Sequence, residues 1–463
     1  MTLPPPLPTP MPPGSHSTPQ AMPPLPPSQI IPPQVSRNLP PPIPSIPRKS
    51  AKKIDHLSVW QLVLAVVALV CSLVVIALVL LALSGYSATG PSMIQMNVVL
   101  WIFILFAATC IPSLLLSIKH LKGVEPKVFT LTNNSLFIAG GILLLEGGLI
   151  YLVYCLKIQS IPVALTGLLD VLVIAFPVVV WVIIGAHGLK AHSVQRLWGI
   201  FNLSEFVSTS AAMIIEIFMA LLVIFAAIGW LAQQTEFAPY LTLFKNQGNL
   251  TNMQIQSLVY DIQPLISTPI IYTIVVLGMC LFVPMVEELL KPLGVWFLMG
   301  KNITPSEGFF AGLLGGAGFA LVESLLVMGS ASDAWVSTVI GRTGTGLLHV
   351  TTAGILGWAM AKTWQDGKYQ RISLTYLGMI FLHGAWNFFA VLLALQSAVA
   401  PIDFSWVQAL LPYVQWVLCG LAVGMIVLLT LLNRRLQKDS KPPRFLIALN
   451  PQQTSGSSEI PFE

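Results

Sequence analysis

The chain has 463 residues, of which 55% are hydrophobic and only 9% charged, with a formal net charge of +5. Soluble domains carry about 25% charged residues, so this deficit, with a mean hydropathy of +0.80, excludes an ordinary soluble domain. The basic balance does not point to nucleic acid, because no basic face with interleaved aromatic residues is present.

Residues 1–55 are expected to be a disordered, proline-rich cytoplasmic tail ending in a basic juxtamembrane segment. The stretch from Pro4 to Pro47 holds 19 of the chain's 36 prolines. Proline withholds the backbone donor that helices and central strands need, and the tail has too few large apolar residues to build a core. It lacks the apolar segment and small-residue cleavage site of a signal peptide. The run from Arg48 to Lys53 precedes the first apolar segment and reads as a topology signal.

Ten apolar runs follow, near 57–83, 97–117, 135–156, 161–187, 207–231, 268–299, 308–328, 338–361, 373–396 and 408–432. Each reaches about 20 residues, the length needed to cross hydrocarbon as a helix. Strands are not expected, since an open sheet ladder is unsatisfied in lipid. The fold class is therefore all-α, a polytopic transmembrane helical bundle of about ten spans. Basic residues cluster after every second run: Lys119, Lys122 and Lys127; Lys190 and Arg196; Lys301; Lys362, Lys368 and Arg371; Arg434, Arg435 and Lys438. The intervening loops carry few: Lys157, Lys245 and, near a helix end, Arg342. This bias predicts a multi-pass protein of the cell membrane with both termini cytoplasmic. The division expected is 56–235 as an N-terminal region of about five helices, 236–267 as an extracytoplasmic loop, 268–432 as a second transmembrane domain with a final helix, and 433–463 as a cytoplasmic tail. The sixth run is too long for one straight span and contains Pro284 and Pro292, so a kink or break is expected there. The five cysteines lie singly within apolar runs and read as packing residues.

Ionisable residues deep in a bilayer are costly and are functional suspects. Helical rise places Glu287, Glu288, Glu323, His349 and His383 roughly 16–22 Å from the inner ends of four successive spans. Glu287 and Glu288 lie four and three residues before Lys291, so Lys291 can pair with one acid on a shared helix face. His383 shares a face with Asn387, and Phe319 sets an aromatic ring one turn from Glu323. Small residues recur at Gly308, Gly312, Gly316 and Ala320, and at Gly346, Ala353, Gly357 and Ala361, the pattern of tight helix contacts in membranes. Such a cluster suits hydrolysis: a carboxylate as general base, an imidazole or amide as oxyanion donor. Glu146, Asp170 and Glu216 also lie in apolar runs but lack companions at helical spacing, and read as structural. The other functional readings are a proton-coupled or small-solute transporter, which needs similar midplane groups, and a non-catalytic membrane scaffold.

The succession Glu287-Glu288-Leu289-Leu290-Lys291, Phe319-Ala320-Leu321-Val322-Glu323, His349 with Gly354 and Gly357, and His383-Gly384-Ala385-Trp386-Asn387 resembles the PrsW family of intramembrane proteases, within the superfamily of the CAAX prenyl endopeptidases. The resemblance covers roughly 265–395. It implies an intramembrane endopeptidase with Glu287 and Glu288 as the catalytic pair, Glu323 binding water, His349 as the third-box histidine, and His383 and Asn387 supporting the oxyanion. Lys291 and Phe319 are the supporting residues. Asn387 stands where many members have Asp. A membrane-protein substrate is implied, in the family's case an anti-sigma-factor-like regulator, with the lipid bilayer as the other partner. No cofactor is favoured, because no local ligand pair is present; zinc is the alternative, and its ligands would then come from Glu288, Glu323, His349 and His383.

Overall fold

The computed structural model describes residues 55–85, 91–132, 134–156, 161–231, 233, 269–328, 334–396 and 405–439. The proline-rich tail, the basic run Arg48–Lys53, the whole 236–267 loop and the end of the C-terminal tail lie outside these residues. The described chain is a helical polytopic bundle. Its elements are α1 (His56–Gly85), α2 (Pro91–Leu121), α3 (Ser135–Leu156), α4 (Val163–Ala186), α5 (Val194–Asn202), α6 (Thr209–Leu231), α7 (Pro269–Leu277), α8 (Val283–Leu290), α9 (Leu293–Trp296), α10 (Pro305–Met328), α11 (Trp335–Asp366), α12 (Gln370–Gln396), α13 (Ser405–Leu410) and α14 (Val414–Asp439).

Nine helical stretches among the described residues are long and apolar enough to cross a membrane. The tenth expected span, α11, is a helix of 32 residues that does not reach that apolarity. It packs against α3, α4, α10, α12 and α14, and is buried along much of its length. A helix shielded from lipid by protein can carry Arg342 and His349 at less cost than a lipid-facing one. None of the described apolar runs forms a strand, as expected; two short strands lie between them. β1 (Val128–Thr130) and β2 (Lys190–Ser193) pair antiparallel, Val128 opposite Ser193, in the loops after α2 and α4. Lying in loops, the ribbon leaves no open ladder in lipid, and it brings two basic loops to one side of the bundle.

Glycine determines how closely the central helices approach. A Cβ added at Gly308, Gly312 or Gly316 on α10 would collide with the backbone of Gly357, Ala353 or His349 on α11. A Cβ at Gly315 would meet the Lys291 carbonyl, and one at Gly384 the Cys280 carbonyl. The expected small-residue faces are thus in direct backbone contact, and they meet at segments that carry the ionisable residues. Gly316→Ala is expected to cost about 1–3 kcal/mol through overpacking. Thermal unfolding in detergent would reveal it, and an unchanged midpoint would contradict so close an approach.

The expected break in the sixth run takes a specific form. Between α7 and α8 the chain widens into a π-helical turn, Gly278–Phe282, where the Val283 amide donates to the Gly278 carbonyl. Pro284 has no N–H to give to the preceding turn, so carbonyls of Met279 and Cys280 lose helical partners. Asn387 on α12 supplies one donor, its Nδ2 lying 2.9 Å from the Met279 carbonyl. Beyond Leu290, Lys291 and Pro292 end α8, with Pro292 at φ −84° and ψ 22°. A second π-helical turn, Leu203–Ser208, joins α5 to α6 and had no sequence signal.

Two expected structural acids behave as such. Asp170 on α4 accepts from Trp335 Nε1 at 2.6 Å, and Glu146 on α3 accepts from Thr343 Oγ1 at 3.0 Å. Both bonds fasten the N-terminal helices to the start of α11. At the other end of α11, outside the apolar stretch, Arg371 pairs with Asp366, its Nη1 at 2.9 Å. That hydrogen bond holds the Asp366 carboxyl down, at about 2.

Candidate active site

Glu287 and Glu288 are adjacent on α8 and point to different partners. Glu288 is fully buried, and its Oε1 receives three donors: Lys291 Nζ at 2.7 Å, His383 Nδ1 at 2.8 Å and Thr352 Oγ1 at 3.0 Å. A proton held on His383 Nδ1 for Glu288 leaves Nε2 as an acceptor. That Nε2 faces Glu287 Oε2 at 3.7 Å.

His349 on α11 is the mirror case. Its Nε2 lies 2.6 Å from Glu323 Oε2 on α10, while its Nδ1 faces Glu287 Oε2, also at 3.7 Å. Each imidazole therefore has a carboxylate behind one nitrogen and turns the other nitrogen toward the same Glu287 oxygen. Carboxylates placed behind histidines in this way fix the tautomer and ring orientation. The two rings stand nearly perpendicular, with centroids 5.3 Å apart.

The surroundings hold this geometry. Lys291 is completely buried and lies 3.1 Å from Glu287 Oε2 as well as against Glu288. It does not choose one acid, as expected, but bridges both. Phe319 closes the cluster from α10: its ring centre is 5.5 Å from that of His349 and 5.2 Å from Lys291 Nζ. Asn387 gives its amide to the Met279 carbonyl, so its hydrogen bond serves the break above α8.

Three participants were missed from sequence. Thr352 lies three residues after His349, a spacing that could have revealed it. Arg342 on α11 contacts Glu323 Oε1 through Nη2 at 3.0 Å. Glu216 on α6, read as structural, interacts electrostatically with Glu323, Glu287 and Lys291, and its Oε1 is buried without a hydrogen-bond partner.

The cluster leaves polar atoms unsatisfied. Glu287 Oε2, Glu288 Oε2, Glu323 Oε2 and both nitrogens of His349 are buried without an aligned hydrogen bond; the approaches of Lys291 to Glu287 and of His349 to Glu323 are ion-pair contacts only. One ligand atom each of Glu287, His349 and His383 lie within 4.8 Å of one another. Two imidazoles and a carboxylate are a known catalytic zinc set, so the residues fit a divalent metal. The fitting carboxylate is Glu287 rather than Glu288, because it is the Glu287 oxygen that lies with both imidazoles.

Residues 251–432 match the model of the PrsW family intramembrane metalloprotease. No curated protein and no solved structure matches the chain. The four boxes, the cluster they form and the match fall on the same segment, and over that segment the chain is similar to the PrsW family of intramembrane proteases.

Proposed function

We propose that the chain is an endopeptidase that hydrolyses peptide bonds of membrane-associated proteins, with Glu287, His349 and His383 as the reacting face. The observation that carries this is the convergence of both imidazoles on Glu287 Oε2 at 3.7 Å, each supported from behind by a second carboxylate. Glu288 and Glu323 are positioning residues in this reading. Glu287 takes the proton of the attacking water on its carboxylate and returns it to the leaving amine nitrogen, so the peptide bond breaks as the water oxygen joins the carbonyl carbon. Phe319 and the apolar core beside it exclude bulk water from the pair. When a divalent metal is bound, His349, His383 and one carboxylate oxygen of Glu287 would hold it, leaving the other Glu287 oxygen to carry the proton, and the metal would supply a Lewis acid and a more acidic water.

A strong chelator is expected to remove cleavage of a membrane-tethered substrate by the purified protein, and zinc to restore it. Undiminished cleavage in chelator would return the chemistry to the glutamates alone. Asn387→Ala is expected to cost less activity than Glu287→Gln, since its amide serves the Met279 carbonyl. An equal loss would return Asn387 to the oxyanion role.

The substrate class is a membrane protein, with an anti-sigma-factor-like regulator as the family's precedent. The charge bias supports both termini in the cytoplasm, with 268–432 as the protease unit. Labelling of cysteines placed at Gln247 and Lys368 tests this: opposite sides are expected, and one common side would contradict it.

A further inference from the structure

The two imidazoles are supported alike up to a point, and the comparison exposes a residue outside the four boxes. Behind His383 stands Glu288, and behind Glu288 stands the buried cation Lys291. Behind His349 stands Glu323, and the cation in the corresponding place is Arg342. Its Nη2 is 3.0 Å from Glu323 Oε1, while its Nε donates to the buried Ser324 Oγ at 3.0 Å. One guanidinium thus meets two consecutive residues of α10 from α11, Glu323 by an ion pair and Ser324 by a hydrogen bond. Glu323 is the more open of the two supporting acids, at 29% side-chain exposure against 0% for Glu288. Among the described residues no hydroxyl donates to it as Thr352 does to Glu288, and Arg342 is the cation paired with its Oε1.

From this we infer that Arg342 is a positioning residue of the reaction, acting through Glu323 to hold His349 toward Glu287. The inference rests on the proteolytic reading. The helix carrying Arg342 is itself fixed from the N-terminal region, because the next residue, Thr343, is bonded to Glu146 and to the Trp181 indole. That region thereby bears on the site without contributing to the four boxes. A guanidinium fork suits this task better than an ammonium, since it can engage a carboxylate and a hydroxyl in one plane.

The test is a double-mutant cycle on cleavage of a membrane-tethered substrate by purified full-length protein. Arg342→Leu is expected to lower kcat about 10–100-fold, the usual cost of losing an orienting partner, with KM little changed. In a Glu323→Gln background the same substitution should cost little more, because the path through Glu323 is already cut. Arg342→Lys, which keeps the charge and loses the fork, should fall between wild type and Leu in kcat, and it carries the same comparison if the Leu variant does not fold. Equal losses in both backgrounds would show a general packing role and overturn the inference alone, as would an undiminished Arg342→Leu enzyme. Failure of the wild-type protein to cleave would overturn the proteolytic reading and this inference with it.

Discussion

Glu287→Gln is expected to lower the rate of substrate cleavage about 10²–10⁴-fold, the usual contribution of a general base. The substitution keeps the volume and removes the charge. It leaves Glu288 with its three donors, so α8 retains its anchorage to α11 and α12. The loss should therefore appear in kcat while the protein still elutes as a folded species in detergent. Glu146→Gln is the control. Glu146 sits 4% exposed on α3 and accepts one bond from Thr343, which an amide oxygen can accept equally. A fully active Glu287→Gln protein beside an inactive Glu146→Gln protein would move the site to the N-terminal helices.

Lys291→Met should be the most damaging substitution for stability. The ammonium lies 2.7 Å from Glu288 and 3.1 Å from Glu287, with no exposure to solvent. Methionine nearly matches its length but leaves two adjacent buried carboxylates without their shared cation. Breaking a buried ion pair by removing one partner costs about 3–5 kcal/mol. Restoring charge balance with Glu288→Gln in the same chain should recover part of the loss, because the remaining strain is the uncompensated charge rather than the missing methylenes. A Lys291→Met protein that unfolds at the wild-type temperature would show that the cluster does not depend on this cation.

The residues that make the cluster were legible where local spacing carries the signal. Glu287, Glu288 and Lys291 share a helix face by arithmetic, and the glycine rows on α10 and α11 announce a close contact whatever the partner. Depth alone brought His349 and His383 to the same level. What spacing cannot supply is which atom faces which. The pairing of Glu288 with His383 and of Glu323 with His349 joins residues 95 and 26 positions apart, and depends on helix rotations that no single run encodes. Arg342 lies near a helix end, as expected, but its pairing with Glu323 depends on how two helices meet, which no single run encodes. Asn387 shared a face with His383, as expected, yet its amide turns to a carbonyl freed by Pro284, and that need arises only once the π-helical turn is seen. The ten-run pattern held in outline, since nine stretches meet the length and apolarity of a span and the tenth, α11, is a helix in the bundle interior.

The central claim is that Glu287, with the two imidazoles facing it, hydrolyses peptide bonds within the membrane. Its most direct test is to reconstitute the purified chain in liposomes with a single-span reporter protein and identify the products by mass spectrometry. The account predicts two fragments whose new termini map to the reporter's membrane-embedded or juxtamembrane segment, formed by the wild-type protein and absent with Glu287→Gln. Fragments of equal yield from both proteins, or an intact reporter with the wild-type protein, would contradict it.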